Sequence, residues 1–110
     1  MDKFDVLRKY FGYSSFRKGQ EEMVDCLLSG RDALGIMPTG AGKSICYQVS
    51  AIMFGGVTIV VSPLISLMKD QVNALVQQGV KAAYINSSLT DTQYDKVLKN
   101  AALGIYKIIY

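Results

Sequence analysis

Residues 37–44 read MPTGAGKS, and the helix-like run ICYQVSAIM follows without a break. Ahead of them, Ala33-Leu34-Gly35-Ile36 reads as a short buried strand. A strand, a glycine-rich turn and a helix opening on Lys43 and Ser44 make the triphosphate cradle of P-loop proteins. Backbone N–H groups of such a loop face phosphate oxygens. Glycine is needed because the chain must turn sharply and approach the ligand without a Cβ in the way. On this reading Lys43 reaches the β and γ phosphates and the Ser44 hydroxyl ligates Mg²⁺. The strict pattern has Gly five residues before Gly42, where this chain has Met37. A bare GKS string could equally be a glycine-rich turn with a solvated lysine. The strand before it and the helix after it favour the cradle.

Composition narrows the remaining choices. A chain of 110 residues accommodates one small domain or part of a larger one. Half of its residues are apolar, too many for a disordered tail. The net charge of +3 is compatible with nucleic acid without arguing for it. The N-terminal MDKFDVLRKYF carries charges where a signal peptide needs an apolar stretch. The longest nearly apolar run, residues 51–61, is broken by Gly55-Gly56 and is too short for a bilayer; no membrane partner is expected. Cys26 and Cys46 sit in helical patterns and read as reduced core thiols. No His and no cysteine cluster marks a zinc site.

Apolar periodicity alternates helix and strand. Phe4, Leu7 and Phe11 share a helical face that Gly12 stops; Met23, Val24, Leu27 and Leu28 form another, stopped by Gly30. Residues 57–61 are the β-branched run of a strand buried on both faces of a parallel sheet. Leu64, Met68, Val72, Leu75 and Val76 mark a helix ending before Gly79. Residues 82–85 read as a third strand. Thr90 and Gln93 form a capping box for a helix whose buried stripe is Tyr94, Val97, Leu98, Ala101 and Ala102. Residues 107–110 begin a fourth strand, an apolar edge left bare. The expected class is therefore α/β: a RecA-like P-loop parallel sheet with flanking helices, truncated after about four strands.

A second constellation, FGYSSFRKGQ, lies upstream of the loop. A Gln20 amide offers a donor and an acceptor that match adenine N6 and N7. Tyr13 offers a stacking face, and the Arg17 guanidinium can stack or hydrogen-bond. By residue chemistry alone the plainer reading is stronger: a helix start with Phe16 in the core and Arg17 and Gln20 solvated. P-loop hydrolases also need a later acidic residue for Mg²⁺. Glu21 and Glu22 precede the loop, and Asp70, Asp91 and Asp95 fall in helical patterns. The chain is therefore expected to be the front portion of a larger ATPase, inactive by itself.

FGYSSFRKGQEE, MPTGAGKSICYQ, VVSPLISLMKDQV and INSSLT, in this order and spacing, resemble the RecQ family of DNA helicases in superfamily 2. The resemblance runs from about Phe4 onward, and VVSPLISLMKDQV is its most specific block. It implies that residues 1–110 are the N-terminal portion of a first RecA-like motor domain. The implied enzyme burns ATP with Mg²⁺, moves on single-stranded DNA and opens partly duplex DNA in the 3′-to-5′ direction. It would be cytoplasmic in a bacterium or nuclear in a eukaryote. The resemblance carries Tyr13, Arg17 and Gln20 onto the adenine motif, and Thr39, Gly40, Ala41, Gly42, Lys43 and Ser44 onto the phosphate and Mg²⁺ motif. It carries Ser62, Pro63 and Leu64, with Asn86 and Ser87, onto DNA-contacting segments. Lys18 stands where the family often has Pro, and Ala41 where it often has Gly. An Asp-Glu-x-His motif, a second motor domain and a zinc region would lie beyond Tyr110.

Spacing alone reads Leu64, Leu67, Met68 and Val72 as a core stripe, leaving Ser62, Ser66, Lys69 and the helix N-terminal amides for phosphate. Two other functions fit the loop: a P-loop kinase, or a nucleotide-binding module without chemistry.

Overall fold

A computed structural model of the chain describes residues 1–38 and 42–110. Thr39, Gly40 and Ala41, three of the expected phosphate-loop residues, lie outside the described residues. The chain divides into two compact units, residues 1–55 and 56–110.

The first unit is helical. Helix α1 spans Lys3–Val6 and continues as a π-helical turn over Leu7–Phe11. A capping box starts it: Asp5 N–H donates to Asp2 Oδ1 at 2.9 Å and Asp2 N–H donates back to Asp5 Oδ2 at 3.0 Å. Gly12 ends it at φ 75°, in the left-handed region that a side chain disfavours. Helix α2 spans Gln20–Leu28 and α3 spans Lys43–Met53. Val6, Leu7, Val24, Ile45 and Val49 form the core where the three meet, with Phe11, Phe16 and Ile52 packed against it. Lys3 clips α1 to α2, its Nζ 2.7 Å from Asp25 Oδ1 and 2.8 Å from Glu21 Oε1. The hydrogen bond to Asp25, then that to Glu21, raises its pKa.

The expected strand over residues 33–36 is absent: these residues are irregular, with Leu34 and Ile36 about nine-tenths exposed. A strand exists only through a ladder partner, and the described residues of this unit contain no other strand.

The second unit is a small parallel sheet with two helices. Strands β1 (Thr58–Ile59), β2 (Ala82–Ala83) and β3 (Ile108–Ile109) lie in the order β1-β3-β2. Helix α4, Ile65–Gln77, connects β1 to β2; helix α5, Asp91–Ala102, connects β2 to β3. Parallel neighbours require such crossovers. Ile108 faces Thr58 on one side and Ala82 on the other. The ladder outruns the short strands: Thr58 N–H donates to Lys107 O, Val60 N–H to Ile109 O, and Ile85 N–H to Tyr110 O, at 2.8–2.9 Å.

Three expectations are corrected here. The terminal strand is not a bare edge; β3 is the centre of the sheet, and Ile108, Ile109 and Tyr110 are buried. Residues 57–61 are not buried on both faces: the alternate residues Val57, Ile59 and Val61, which share one face, are 49%, 71% and 92% exposed. Helix α5 has its capping box, with Gln93 N–H donating to Thr90 Oγ1 and Thr90 N–H to Gln93 Oε1, yet it buries no residue. Its apolar stripe is real in sequence but Tyr94 and Leu98 remain over two-fifths exposed. The fold class stands: parallel strands, α/β crossovers and a helix opening on Lys43.

Candidate nucleotide site

The start of α3 is fixed from two directions. Gly42 precedes it at φ 75°, ψ 43°. Its backbone angle disfavours a side chain, and a Cβ on Gly42 would stand 2.5 Å from Gln20 Nε2 and displace that amide. Ile45 and Val49 bury the opposite face of α3 in the core. Ser50 is buried too and returns its hydroxyl to Cys46 O at 3.3 Å. That anchoring leaves the Lys43 side chain exposed and Ser44 half-buried at the helix N-terminus. Helix N-termini expose amide N–H groups and a positive dipole end, both suited to an anion.

Gln20 is the first residue of α2 and is only 4% exposed. Its Oε1 accepts from Arg17 N–H at 2.7 Å, and its Nε2 donates to Gly42 O at 3.0 Å. The plainer reading of a solvated Gln20 is therefore overturned: an amide this buried is retained because it is hydrogen-bonded. Phe16 is packed as that reading had it, its ring 5.5 Å from that of Phe4, and Arg17 is exposed. Arg17 Nη1 lies 4.0 Å from where a Gly42 Cβ would be. The structure thus gathers Arg17, Gln20, Gly42 and Lys43 within the first unit. Tyr13 sits just after Gly12 with about half its surface exposed, a face open for stacking.

Sequence reasoning missed an apolar cavity beside this cluster. It measures about 350 Å³ and is lined by Met23, Ala33, Gly35, Met37, Lys43 and Cys46, among others. The departure from the strict loop pattern supplies part of its wall: Met37 Sδ lies 3.7 Å from Cys46 Sγ. Methionine commonly fills irregular gaps of this kind. Burial raises the Cys46 thiol pKa, which keeps it protonated and a poor nucleophile at neutral pH. Cys26 is also a free thiol, but only partly buried rather than in the core.

The expected DNA-facing residues lie in the second unit. Ser62, Pro63 and Leu64 follow β1 and lead into α4; Asn86 and Ser87 follow β2. Both segments therefore leave the carboxyl ends of parallel strands, where open α/β sheets place their ligands. Ser62 Oγ accepts from Leu64 N–H at 3.3 Å, shaping the entry to α4. Pro63, Leu64, Ser66 and Lys69 are exposed. The core-stripe reading holds for Met68 and Val72 but not for Leu64 and Leu67, which are 57% and 42% exposed. Asn86 Oδ1 accepts from Ser88 N–H at 2.8 Å and also from the Ser88 hydroxyl. Asn86 Nδ2 is buried without a partner, and Ser87 is exposed. Among the described residues, no helix is long and apolar enough to cross a membrane.

Residues 17–110 match the family described as DEAD/DEAH box helicase. The chain is 55% identical over 106 residues to the ATP-dependent DNA helicase RecQ of Pasteurella multocida, covering 96% of this chain and 17% of that protein. It is 52% identical over 105 residues to the RecQ of Haemophilus influenzae, with the same coverage. The RecQ of Bacillus subtilis is 52% identical over 106 residues, 96% of this chain and 18% of that protein. The chain thus spans about a sixth of the length of these curated relatives. With the Lys43-Ser44 helix start, the parallel sheet and a family match over most of its length, the chain belongs to the DEAD/DEAH box helicases and, within them, to the RecQ helicases.

Proposed function

We propose that residues 1–110 are the N-terminal portion of the ATP-binding motor domain of a 3′-to-5′ DNA helicase. The observation that carries the reading is the junction of Gln20 with Gly42 beside Lys43, which joins a base-reading residue to a phosphate-binding helix start. In this reading Lys43 compensates phosphate charge, and Arg17 assists at the adenine. Tyr13 stacks on the base and Gln20 meets its edge. The Ser44 hydroxyl, a hard oxygen donor at the helix start, fits Mg²⁺. When bound, Mg²⁺ neutralises charge on the phosphate oxygens. Thr39, Gly40 and Ala41 complete the phosphate loop. Ser62, Pro63, Leu64, Ser66, Lys69, Asn86 and Ser87 face the backbone of single-stranded DNA, and a second motor domain of the same polypeptide closes the nucleotide cleft. The exposure of residues 63–66 and Lys69 at the carboxyl end of the sheet supports the DNA assignment.

Unwinding of duplexes with a single 3′ or 5′ tail by the full-length protein tests the reading. ATP-dependent opening of the 3′-tailed duplex is expected, and opening confined to the 5′-tailed one rejects the polarity. Nucleotide choice gives a separate check. Guanine presents an acceptor where adenine presents a donor, so one pose of Gln20 cannot satisfy both edges. An unpaired polar group costs about 1–3 kcal/mol, so ATP should bind roughly ten- to a hundred-fold tighter than GTP. Competition between the two nucleotides measures this directly, and equal affinity removes Gln20 from base reading.

A further inference from the structure

The geometry points to a second role for Gln20: it is a positioning residue that aims the phosphate loop through the Gly42 carbonyl, independently of any base. The inference rests on the reading of Gly42, Lys43 and Ser44 as the phosphate site.

A glutamine at a helix start is ordinarily solvated; this one is 4% exposed and spans two elements. Oε1 takes the Arg17 N–H at 2.7 Å, which orients the amide plane. Nε2 then donates to Gly42 O at 3.0 Å. The same carbonyl accepts the Ile45 N–H at 3.2 Å, in the first turn of α3. One oxygen therefore ties α2 to the opening of α3.

The consequence follows from peptide geometry. The Gly42–Lys43 peptide is trans, as all described peptides are, so its C=O and the Lys43 N–H point in opposite directions. Holding the carbonyl on Gln20 aims the Lys43 N–H away from α2, as a phosphate-binding amide must be held ahead of its ligand. A Cβ on Gly42 would fall 2.5 Å from Gln20 Nε2 and push this amide off the carbonyl it holds. A base reader needs only to face the base. The burial of Gln20 and its bond to the loop backbone are what an aiming role requires.

Inorganic tripolyphosphate, which has neither base nor ribose, separates the two roles. Its affinity is measured on the full-length protein by displacement of a fluorescent ATP analogue. Gln20→Ala should weaken tripolyphosphate by about ten-fold, the scale of one lost buried hydrogen bond. Gln20→Met should do the same, since an uncharged thioether of similar length offers Gly42 O no donor and adds no charge to repel the polyphosphate. It is close to isosteric and serves if the alanine variant does not fold, with circular dichroism and the thermal midpoint reporting its integrity. KM should rise for ATP and GTP alike in this variant. Tyr13→Ala, altered on the base side only, should weaken ATP and leave tripolyphosphate within about two-fold. Unchanged tripolyphosphate affinity in both Gln20 variants, with the ATP-over-GTP preference lost, overturns the positioning role and leaves base reading intact. Loss of tripolyphosphate affinity with that preference intact does the reverse.

Discussion

Lys43→Ala in the full-length enzyme should lower kcat for DNA-stimulated ATP hydrolysis by about 10²-fold or more, the scale of removing one preorganised charge-stabilising group. The expectation follows from where the side chain starts. Lys43 is the first residue of α3, Gly42 before it is locked between a left-handed backbone and the Gln20 amide, and Ile45 and Val49 hold the helix in the core. The ammonium is thus exposed at the start of an anchored helix. In phosphoryl transfer the protein acts chiefly by positioning and charge, not by covalent chemistry, so removing one placed charge strikes the main term. Lys43→Arg keeps the charge but replaces a compact ammonium with a planar fork, and should recover only part of the rate. Steady-state phosphate release at saturating single-stranded DNA measures both. Hydrolysis near the wild-type rate in Lys43→Ala would remove this lysine from the phosphate site.

What the sequence made legible is what local chemistry decides. Gly12, Gly30, Gly79 and Gly104 end their helical segments at positive φ, as their position after apolar periodicity predicts. The capping box at Thr90 and Gln93 formed as read, because all its partners lie within one turn. Burial was less legible because it depends on what else arrives. Residues 33–36 have strand composition but no strand in their own unit to pair with. The stripe on α5 has the right period, yet nothing covers Tyr94 or Leu98 closely enough to bury them. The position of β3 between β1 and β2 is a matter of strand order, which no local pattern encodes. At the site, the GKS string located the helix start, while the burial of Gln20 escaped the residue-by-residue reading. Its burial follows from the bond to Gly42 O, a partner 22 residues away that no local pattern names.

Ile108→Ala should destabilise the protein by about 2–5 kcal/mol, the range for truncating a fully buried Ile. The site is unfavourable for relaxation. Ile108 is 0% exposed on the middle strand of the sheet. Its neighbours are tied to both flanking strands: Thr58 N–H and Lys81 O bond Lys107, and Ala83 O bonds the Tyr110 N–H, all within 2.9 Å. A strand pinned on both sides cannot move inward to close the void left by three lost carbons, so the cavity persists and its cost adds to the lost transfer energy. Ile59→Ala is the matched control. It removes the same atoms from β1, where the side chain is 71% exposed and the strand has one neighbour, and should cost no more than about 0.5 kcal/mol. Urea unfolding of the two variants beside the wild type decides the matter through the shift in midpoint at constant slope. Equal losses at the two positions would mean that β3 is not the buried centre of this sheet, and the strand order drawn from the ladder would have to be abandoned.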